Sequence, residues 1–156
     1  MADPVARARL RYLFHVCNDV AAMRRFYVEL LGLPEVSFVD DEKFGWLSVE
    51  AGGFESMWFR ADEPRPVPKA FASQPGWAGG TLEVTSWGVE IPWDRFADVY
   101  HALVAAGTPL FAPVPEWRQR SYWGLSALDP MGATVEVYAL PTTKPASTTW
   151  SEAPGR

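Results

Sequence analysis

A chain of 156 residues has room for one domain, or for two small modules that share a core. Hydrophobic residues make up 48% and charged residues 21%, a balance typical of a packed globular protein rather than a disordered one. The formal charge of -5 argues against nucleic acid as a partner, because phosphate binding draws on patches of Lys and Arg. The same charge favours a cationic ligand over an anionic one.

Membrane and disulfide features are not expected. No apolar run approaches the roughly 18 residues that a membrane helix needs, and the first residues lack an apolar signal region and a cleavage site. We therefore expect a cytoplasmic protein with no membrane contact. Cys17 is the only cysteine, which excludes an internal disulfide and any metal site built from several cysteines.

The first half of the chain predicts a strand, a helix and three further strands. Aromatic and β-branched residues at 11–17 are typical of a strand. Asp19 then caps a helix, which Gly32 and Pro34 end. Strands are predicted at 35–39, 45–49 and 54–60, separated by polar and glycine-rich turns. The buried stripe of the helix is predicted to comprise Val20, Met23, Tyr27, Leu30 and Leu31.

The second half repeats this order. A strand is predicted at 82–91, a helix from about Asp94, and strands at 109–114, 122–128 and 134–140. The buried stripe of the second helix is predicted to comprise Phe96, Val99, Tyr100, Leu103 and Val104.

The two halves define the predicted domain organisation. An N-terminal extension at 1–9 precedes the first βαβββ module at 10–61. A linker rich in Pro and Gly follows at 62–80, and the second βαβββ module occupies 81–140. Residues 141–156 form a flexible C-terminal tail, in which Trp150 is expected to dock on a neighbouring surface.

Three motifs connect this repeat to a known family. They are Asn18-Asp19 at the start of the first helix, Phe26-Tyr27 and Leu31-Gly32-Leu33 at its end, and Asp129-Pro130-Met131-Gly132 before Val135-Glu136-Val137. Through them, residues 10–140 resemble the vicinal oxygen chelate superfamily, which includes glyoxalase I, extradiol dioxygenases and bleomycin resistance proteins. The resemblance implies an α+β fold in which two modules form curled mixed sheets around a cavity, in a homodimer.

The resemblance also implies four positions at which family members hold a metal. The family's spacing places Tyr12 and Ser86 at the two first-strand positions, and Met57 and Glu136 at the two last-strand positions. Only Glu136 matches, whereas zinc, iron and magnesium need three or four N, O or S donors. We therefore expect no metal and no other cofactor, and the chain is similar in character to the metal-free bleomycin resistance proteins.

The two histidines bear on that expectation. A shifted reading of the first strand would make His15 a ligand. Strand alternation instead directs Leu13 and His15 to the helix layer when Tyr12 and Phe14 face the cavity, and a lone His on an apolar face is usually structural. His101 is predicted to be a surface residue.

Aromatic side chains are expected to line the cavity in place of the metal. Flat rings hold flat ligands by offset stacking, which adds roughly 0.5 to 1.5 kcal/mol per pair beyond burial. The alternative is that these aromatic residues are ordinary core. The predicted ligand-binding set is Tyr12, Phe14, Trp46, Met57, Phe59, Ser86, Trp117, Trp123, Glu136 and Tyr138.

Glu136 is the one catalytic candidate, and three roles stay open for it. It could act as a general base with a raised pKa, pair with a cationic ligand, or remain as a trace of a metal site held by hydrogen bonds to Tyr12, Ser86 or nearby backbone. The charged segment 116–120 either covers the cavity mouth or is a solvated loop.

Two functions follow from the resemblance. The first is metal-independent binding and sequestration of a small, planar aromatic natural product, of the antibiotic resistance or self-resistance type. The alternative is a glyoxalase-like or dioxygenase-like enzyme of lyase, isomerase or dioxygenase type. Such an enzyme either uses Glu136 as base without a metal or holds a metal through other residues.

Overall fold

The computed structural model describes residues 8–74 and 80–151, so parts of the predicted extension, linker and tail (1–7, 75–79 and 152–156) lie outside the described residues. The chain divides into two compact units, with the boundary between Pro64 and Arg65. Each unit holds one mixed four-stranded sheet and its helix. The predicted α+β fold of two βαβββ modules is therefore confirmed, and the homodimer stays a prediction.

The first sheet has the strand order β1-β4-β3-β2, in which β1 and β4 run parallel and the other pairs run antiparallel. A single helical element connects β1 to β2. The elements of this unit are β1 (Tyr12–Cys17), α1 (Val20–Arg24) continued by a π-helical segment (Arg25–Leu30), β2 (Glu35–Asp40), β3 (Gly45–Glu50) and β4 (Glu55–Arg60).

The helix of the first unit begins as predicted and then widens. The Asp19 carboxylate accepts a hydrogen bond from the Ala22 amide at 2.9 Å, which caps α1. In the π-helical segment, the Leu31 amide donates to the Phe26 carbonyl five residues earlier, at 3.1 Å. This wider turn buries Phe26 with the apolar stripe and leaves Leu30, which we expected in the core, only partly buried.

The second sheet repeats this topology with the order β5-β8-β7-β6, in which β5 and β8 are parallel. The pairs β8–β7 and β7–β6 are antiparallel. The elements are β5 (Ser86–Glu90), α2 (Trp93–Ala105), β6 (Glu116–Arg118), β7 (Tyr122–Leu128) and β8 (Thr134–Ala139).

Two predicted strands of the second half are wrong in extent or position. The strand predicted at 82–91 begins only at Ser86, and Leu82 is 92% exposed. Residues 109–114 form no strand apart from one bridge between Leu110 and Ala127. Proline lacks the amide that a strand ladder needs, and three prolines lie at 109–115. The pairing strand is instead β6, within the segment that we interpreted as a loop.

Each sheet has a helix face and an open face, the open face being the side opposite the helix. On the helix face of the first sheet, Leu47, Val49 and Trp58 are buried, and Trp58 stacks on Tyr27 of the helix at 4.3 Å. On the helix face of the second sheet, Leu125, Val135 and Val137 are buried, as are Phe96, Val99, Tyr100 and Leu103 of α2. Val104 is 49% exposed, so its predicted burial is wrong.

Part of the predicted linker packs on the second unit. Ala72 forms a bridge with Thr81, and the Ala72 amide donates to Thr134 Oγ1 at 2.7 Å. Ser126 Oγ donates to Gln74 Oε1 at 3.0 Å. Thr134 and Ser126 lie on β8 and β7, so the chain before residue 75 lies against that sheet.

The C-terminal tail has no regular secondary structure in its described part, 141–151. Trp150 nevertheless packs edge-on against Trp123 at 5.1 Å and against Phe96 at 5.6 Å. Its docking surface is therefore α2 and β7 of its own unit. Within the described ranges, no helix combines the length and apolar character that crossing a bilayer requires.

Candidate functional site

The open face of the first sheet carries exposed aromatic side chains. Register pairs Phe14 with Met57, and Phe59 with Trp46, so these residues share one face with Tyr12. Tyr12 is 51% exposed and Phe14 is 63% exposed, whereas Met57 is buried. The structure therefore brings together the predicted site residues of the first module on one apolar surface.

Hydrogen bonds modify this surface at two points. Trp46 donates its indole N–H to Ser37 Oγ at 2.9 Å and stacks on Phe44. Ser48 Oγ donates to Glu55 Oε2 at 2.5 Å. Register also pairs Glu50 with Glu55, so this face combines aromatic rings with two carboxylates. Met57 supplies no metal donor stronger than a thioether.

His15 lies on the opposite, helix face, as strand alternation predicts. Its ring stacks on Trp58 at 5.2 Å, and Nε2 lies 3.1 Å from Ser56 Oγ. Burial lowers the pKa of His15 below its usual 6.5, since desolvation disfavours the charged ring. A packed, neutral histidine is therefore a structural part of the first unit. His101 is exposed on α2, as predicted.

The open face of the second sheet carries polar groups. Register pairs Gly88 with Glu136 and Glu90 with Tyr138, and places Ser86 on the same face. The phenol of Tyr138 donates to Glu90 Oε2 at 3.3 Å. Three of the predicted site residues of the second module therefore share this face.

Glu136 belongs to a compact network around Arg118. The guanidinium donates from Nη1 to Glu136 Oε1 at 2.9 Å and to Ser126 Oγ at 3.0 Å. Its Nη2 donates to Glu116 Oε2 at 2.8 Å, and the phenol of Tyr122 donates to Glu136 Oε1 at 2.9 Å. The third of the roles left open for Glu136 named Tyr12, Ser86 or nearby backbone as its partners, whereas the observed partners are Arg118 and Tyr122.

Gly124 makes room for this network. A Cβ atom at residue 124 would lie 3.2 Å from Arg118 Cδ, 3.2 Å from Tyr122 Cε2 and 3.5 Å from Glu136 Oε1. When Glu136 is aligned with Met57, Tyr138 is aligned with Phe59. Gly124 pairs with Tyr138 and Trp46 pairs with Phe59, so Gly124 is the counterpart of Trp46 in the second module. Where the first module has an indole ring, the second has space for a guanidinium.

Both tyrosines beside Glu136 hold their protons tightly. The pKa of Tyr122 is raised from 10.0 to about 12, first by desolvation and then by its hydrogen bond to the Glu136 carboxylate. Desolvation also raises the pKa of Tyr138, and the charge of Glu90 adds to this effect. The two rings lie 5.3 Å apart at an angle of 59°. At neutral pH they therefore act as phenol donors and aromatic walls.

Two predicted lining residues lie elsewhere. Register pairs Trp117 with Trp123, and Trp123 is 4% exposed on the helix face, where it packs against Trp150. The inclusion of Trp117 and Trp123 with the other candidates is therefore corrected. Trp117 lies on β6, which begins later than we expected, so alternation could not place it. Trp123 lies on β7, whose predicted bounds are correct, but the face that each residue takes was not fixed by the sequence.

The residues present do not fit the metal that the resemblance implies. Within 8–74 and 80–151, no group of three or more His, Cys, Asp or Glu side chains is placed to hold a metal ion. The one matching carboxylate, Glu136, is bound by the Arg118 guanidinium. Like charges a few ångströms apart repel each other, so this guanidinium opposes a second cation at Glu136.

Sequence reasoning missed Arg118, Tyr122 and Ser126. The segment that contains Arg118 was interpreted as a mouth-covering or solvated loop, and a lone arginine in it carries no signal. The repeat offered one clue, because Gly124 stands where the first module has Trp46. A glycine inside a strand often marks a close approach of another group.

The comparisons with known proteins agree with this fold. No protein-family model matches the chain, and no curated protein matches it by sequence. Solved structures do match. An oxidase called ChaP-H2 is 17% identical with a TM-score of 0.61, over 87% of this chain and 96% of that one.

Two further structures have similar scores. A glyoxalase/bleomycin resistance protein/dioxygenase from Nocardioides is 19% identical with a TM-score of 0.55, over 92% of this chain and 91% of that one. A lactoylglutathione lyase from Agrobacterium tumefaciens is 16% identical with a TM-score of 0.54, over 85% of this chain and 94% of that one. Identities this low carry the fold alone. The chain thus has the fold of the glyoxalase, bleomycin resistance and dioxygenase proteins, the vicinal oxygen chelate superfamily that its motifs resemble.

Proposed function

We propose that this protein binds and sequesters a small, planar aromatic natural product without a metal, as a resistance or self-resistance protein does. The observation that carries the proposal is the ion pair between Arg118 and Glu136 at 2.9 Å. It neutralises the only carboxylate at the four metal-equivalent positions. A site built this way supports ligand binding better than Lewis-acid catalysis.

The exposed aromatic residues support a planar aromatic ligand. Tyr12 and Phe14 expose half or more of their surface on the open face of the first sheet, and Phe59 adds a further 37% exposed ring. Exposed apolar patches on soluble proteins usually mark interaction sites. The second unit has a separate pair of aromatic rings on the open face of its own sheet, Tyr122 and Tyr138, 5.3 Å apart. Flat ligands gain stacking energy on such surfaces.

The position of Glu136 supports a ligand that carries a hydrogen-bond donor. Both hydrogen bonds that the described residues make to Glu136 end on Oε1, and the side chain is 21% exposed. Its Oε2 can therefore accept a hydrogen bond from an N–H or O–H group. Because the Arg118 guanidinium and the Tyr122 phenol already occupy Oε1, we assign Glu136 this hydrogen-bonding role rather than general base catalysis.

Quenching of tryptophan fluorescence by a panel of planar antibiotics tests the proposal. We expect saturable quenching by at least one member, with affinity reduced about tenfold in Glu136→Gln if a charge-assisted hydrogen bond is lost. Phe14→Ser removes an exposed ring and should weaken binding further. Leu82→Ser is the matched control, since Leu82 is also exposed but lies outside the sheets.

The same panel distinguishes the enzymatic alternative. Structures similar to this chain include proteins called a lyase and an oxidase. Chemical conversion of a panel member, abolished by Glu136→Gln, would overturn the binding proposal in favour of an enzyme. Elemental analysis of protein purified without chelator or affinity tag addresses the metal: zinc, iron or manganese at one equivalent per chain would contradict a metal-free site.

A homodimer is part of the proposal. The exposed apolar side chains of β1, namely Tyr12, Phe14 and Val16, favour an assembly that covers the open face of the first sheet. Sedimentation velocity at micromolar concentration should give a dimer. A monomer under those conditions would count against this part of the proposal.

A further inference from the structure

The C-terminal tail borders a half-open cavity on the helix side of the second sheet. Residues of 141–151, together with Trp93 and Trp123, line a space of about 500 Å³. Ligand pockets commonly have volumes of about 300 to 1,000 Å³. Because Trp123 lies on the helix face, this cavity is separate from the Glu136 network on the open face.

We propose that this cavity is a second binding site, for a planar aromatic acid. Three indole rings, those of Trp93, Trp123 and Trp150, form its apolar walls. Trp150 meets Trp123 edge-on at 5.1 Å, and its other ring contacts are to Phe96 at 5.6 Å and Tyr100 at 6.2 Å. Since all three indoles line the cavity, a flat apolar molecule would pack against them there.

The polar lining selects an acidic ligand. Lys144 is the only ionisable side chain among the described residues that line the cavity, so none of those residues is a carboxylate. The remaining polar groups are hydroxyls, which both donate and accept hydrogen bonds: Thr142, Thr143, Ser147, Thr149 and Ser151. An anion therefore fits here even though the whole chain carries a charge of -5.

A carboxylate bound in this cavity would pair with the ammonium of Lys144, which lines it. The indole N–H of Trp150 has no acceptor among the described residues, but it is buried away from accessible space and takes no part in this recognition.

Naphthoate is a suitable probe, and naphthylmethylammonium is its matched control of opposite charge. Heteronuclear NMR of the indole N–H groups reports on the eight tryptophans separately, once each signal is assigned by Trp→Phe variants. We expect naphthoate to shift the signals of Trp93, Trp123 and Trp150 in a saturable way and to leave Trp46 of the first unit unchanged. The ammonium control should bind at least about fivefold more weakly.

Two charge variants distinguish binding at this site from non-specific binding of naphthoate. Lys144→Glu should weaken naphthoate binding about fivefold or more, whereas Lys43→Glu changes the net charge equally but lies in the first unit and should have no effect. Trp150→Leu should abolish the shifts of the other two indole signals. If that variant destabilises the tail, the Lys144→Glu result still decides the matter.

Three results would overturn the proposal: no shift of the three indole signals at millimolar naphthoate, equal binding of the two probes, or shifts of Trp46 alone. The last result would place the probe on the open face of the first sheet. Conversely, failure of the antibiotic panel leaves this tail cavity unaffected, because Glu136 and Phe14 lie on neither of its walls.

Discussion

Replacing Arg118 with Met should destabilise the second unit strongly. Arg118 is 8% exposed, and its guanidinium donates to Glu136, Glu116 and Ser126 at 2.8 to 3.0 Å. Removing one partner of a fully buried ion pair costs about 3 to 5 kcal/mol, because it leaves an uncompensated buried charge. The side chains of Glu136 and Glu116 are 21% and 44% exposed, so solvent reduces this cost. We expect a loss of about 2 to 3 kcal/mol.

Urea unfolding, followed by circular dichroism, measures this loss as a change in the free energy of unfolding. Arg24→Met is the matched control. Arg24 also bonds two carboxylates, those of Glu29 and Glu35, but its side chain is 33% exposed. Pairs of that kind contribute about 0 to 1 kcal/mol. An equal loss in the two variants would refute the reasoning that burial makes the Arg118 network stronger.

A double-mutant cycle with Glu136→Gln isolates the pair itself. If the two side chains interact directly, Arg118→Met should cost less in the Glu136→Gln background than in the natural chain. A coupling energy of about 1 to 2 kcal/mol is expected for groups in contact within one network. Additive losses would show that Arg118 stabilises the sheet by packing and not through Glu136.

Three further predictions concern pH and backbone conformation. The pKa of Tyr122 is about 12 in the folded chain and 10.0 in the unfolded chain, so the unfolded chain loses this proton at lower pH. The free energy of unfolding should therefore fall as pH rises from 10 to 12, and it should fall less in Tyr122→Phe. The pKa of His15 is lower in the folded chain than in the unfolded chain, so the unfolded chain binds a proton at higher pH. The free energy of unfolding should therefore fall as pH drops below 6.5, and it should fall less in His15→Gln. Gly132→Ala should lower the free energy of unfolding by about 2 to 4 kcal/mol, because φ is +77° and the new Cβ would overlap the Pro68 carbonyl. Gly107 has a similar φ of +69°, but its Cβ would enter open space, so Gly107→Ala should cost about 1 kcal/mol. Thermal unfolding of the two alanine variants checks this order, and equal losses would contradict it.

Local rules predicted much of the first unit correctly. The Asp19 cap, the alternation that separates Phe14 from His15, and the strand predicted at 45–49 and observed at Gly45–Glu50 all depend on neighbouring residues along the chain. Leu30 was misplaced because a π-helical turn shifts the helix face by one position, and periodicity assumes an unbroken α-helix.

In the second unit, rules based on neighbouring residues did not predict the outer strand or the partners of Glu136. The prolines at 109–115 displaced the outer strand to β6, and this displacement puts Trp117 beside Trp123 and brings Arg118 to the open face. Glu136 was identified by its place in the motif. Its partners were not, since Arg118 and Tyr122 lie 18 and 14 residues earlier, on strands whose register only the folded sheet decides.

The sequence by itself determined the repeat, the order of elements and the absence of a matching ligand at three of the four metal-equivalent positions. The repeat and the order of elements follow from residue type and short-range periodicity, whereas the four positions are those that the family resemblance implies. The tertiary structure alone decided that Arg118 neutralises Glu136 and that Trp150 folds back over β7 to form a cavity under the tail. Both depend on contacts between segments distant in sequence, because packing selects among partners that the local pattern leaves equally possible.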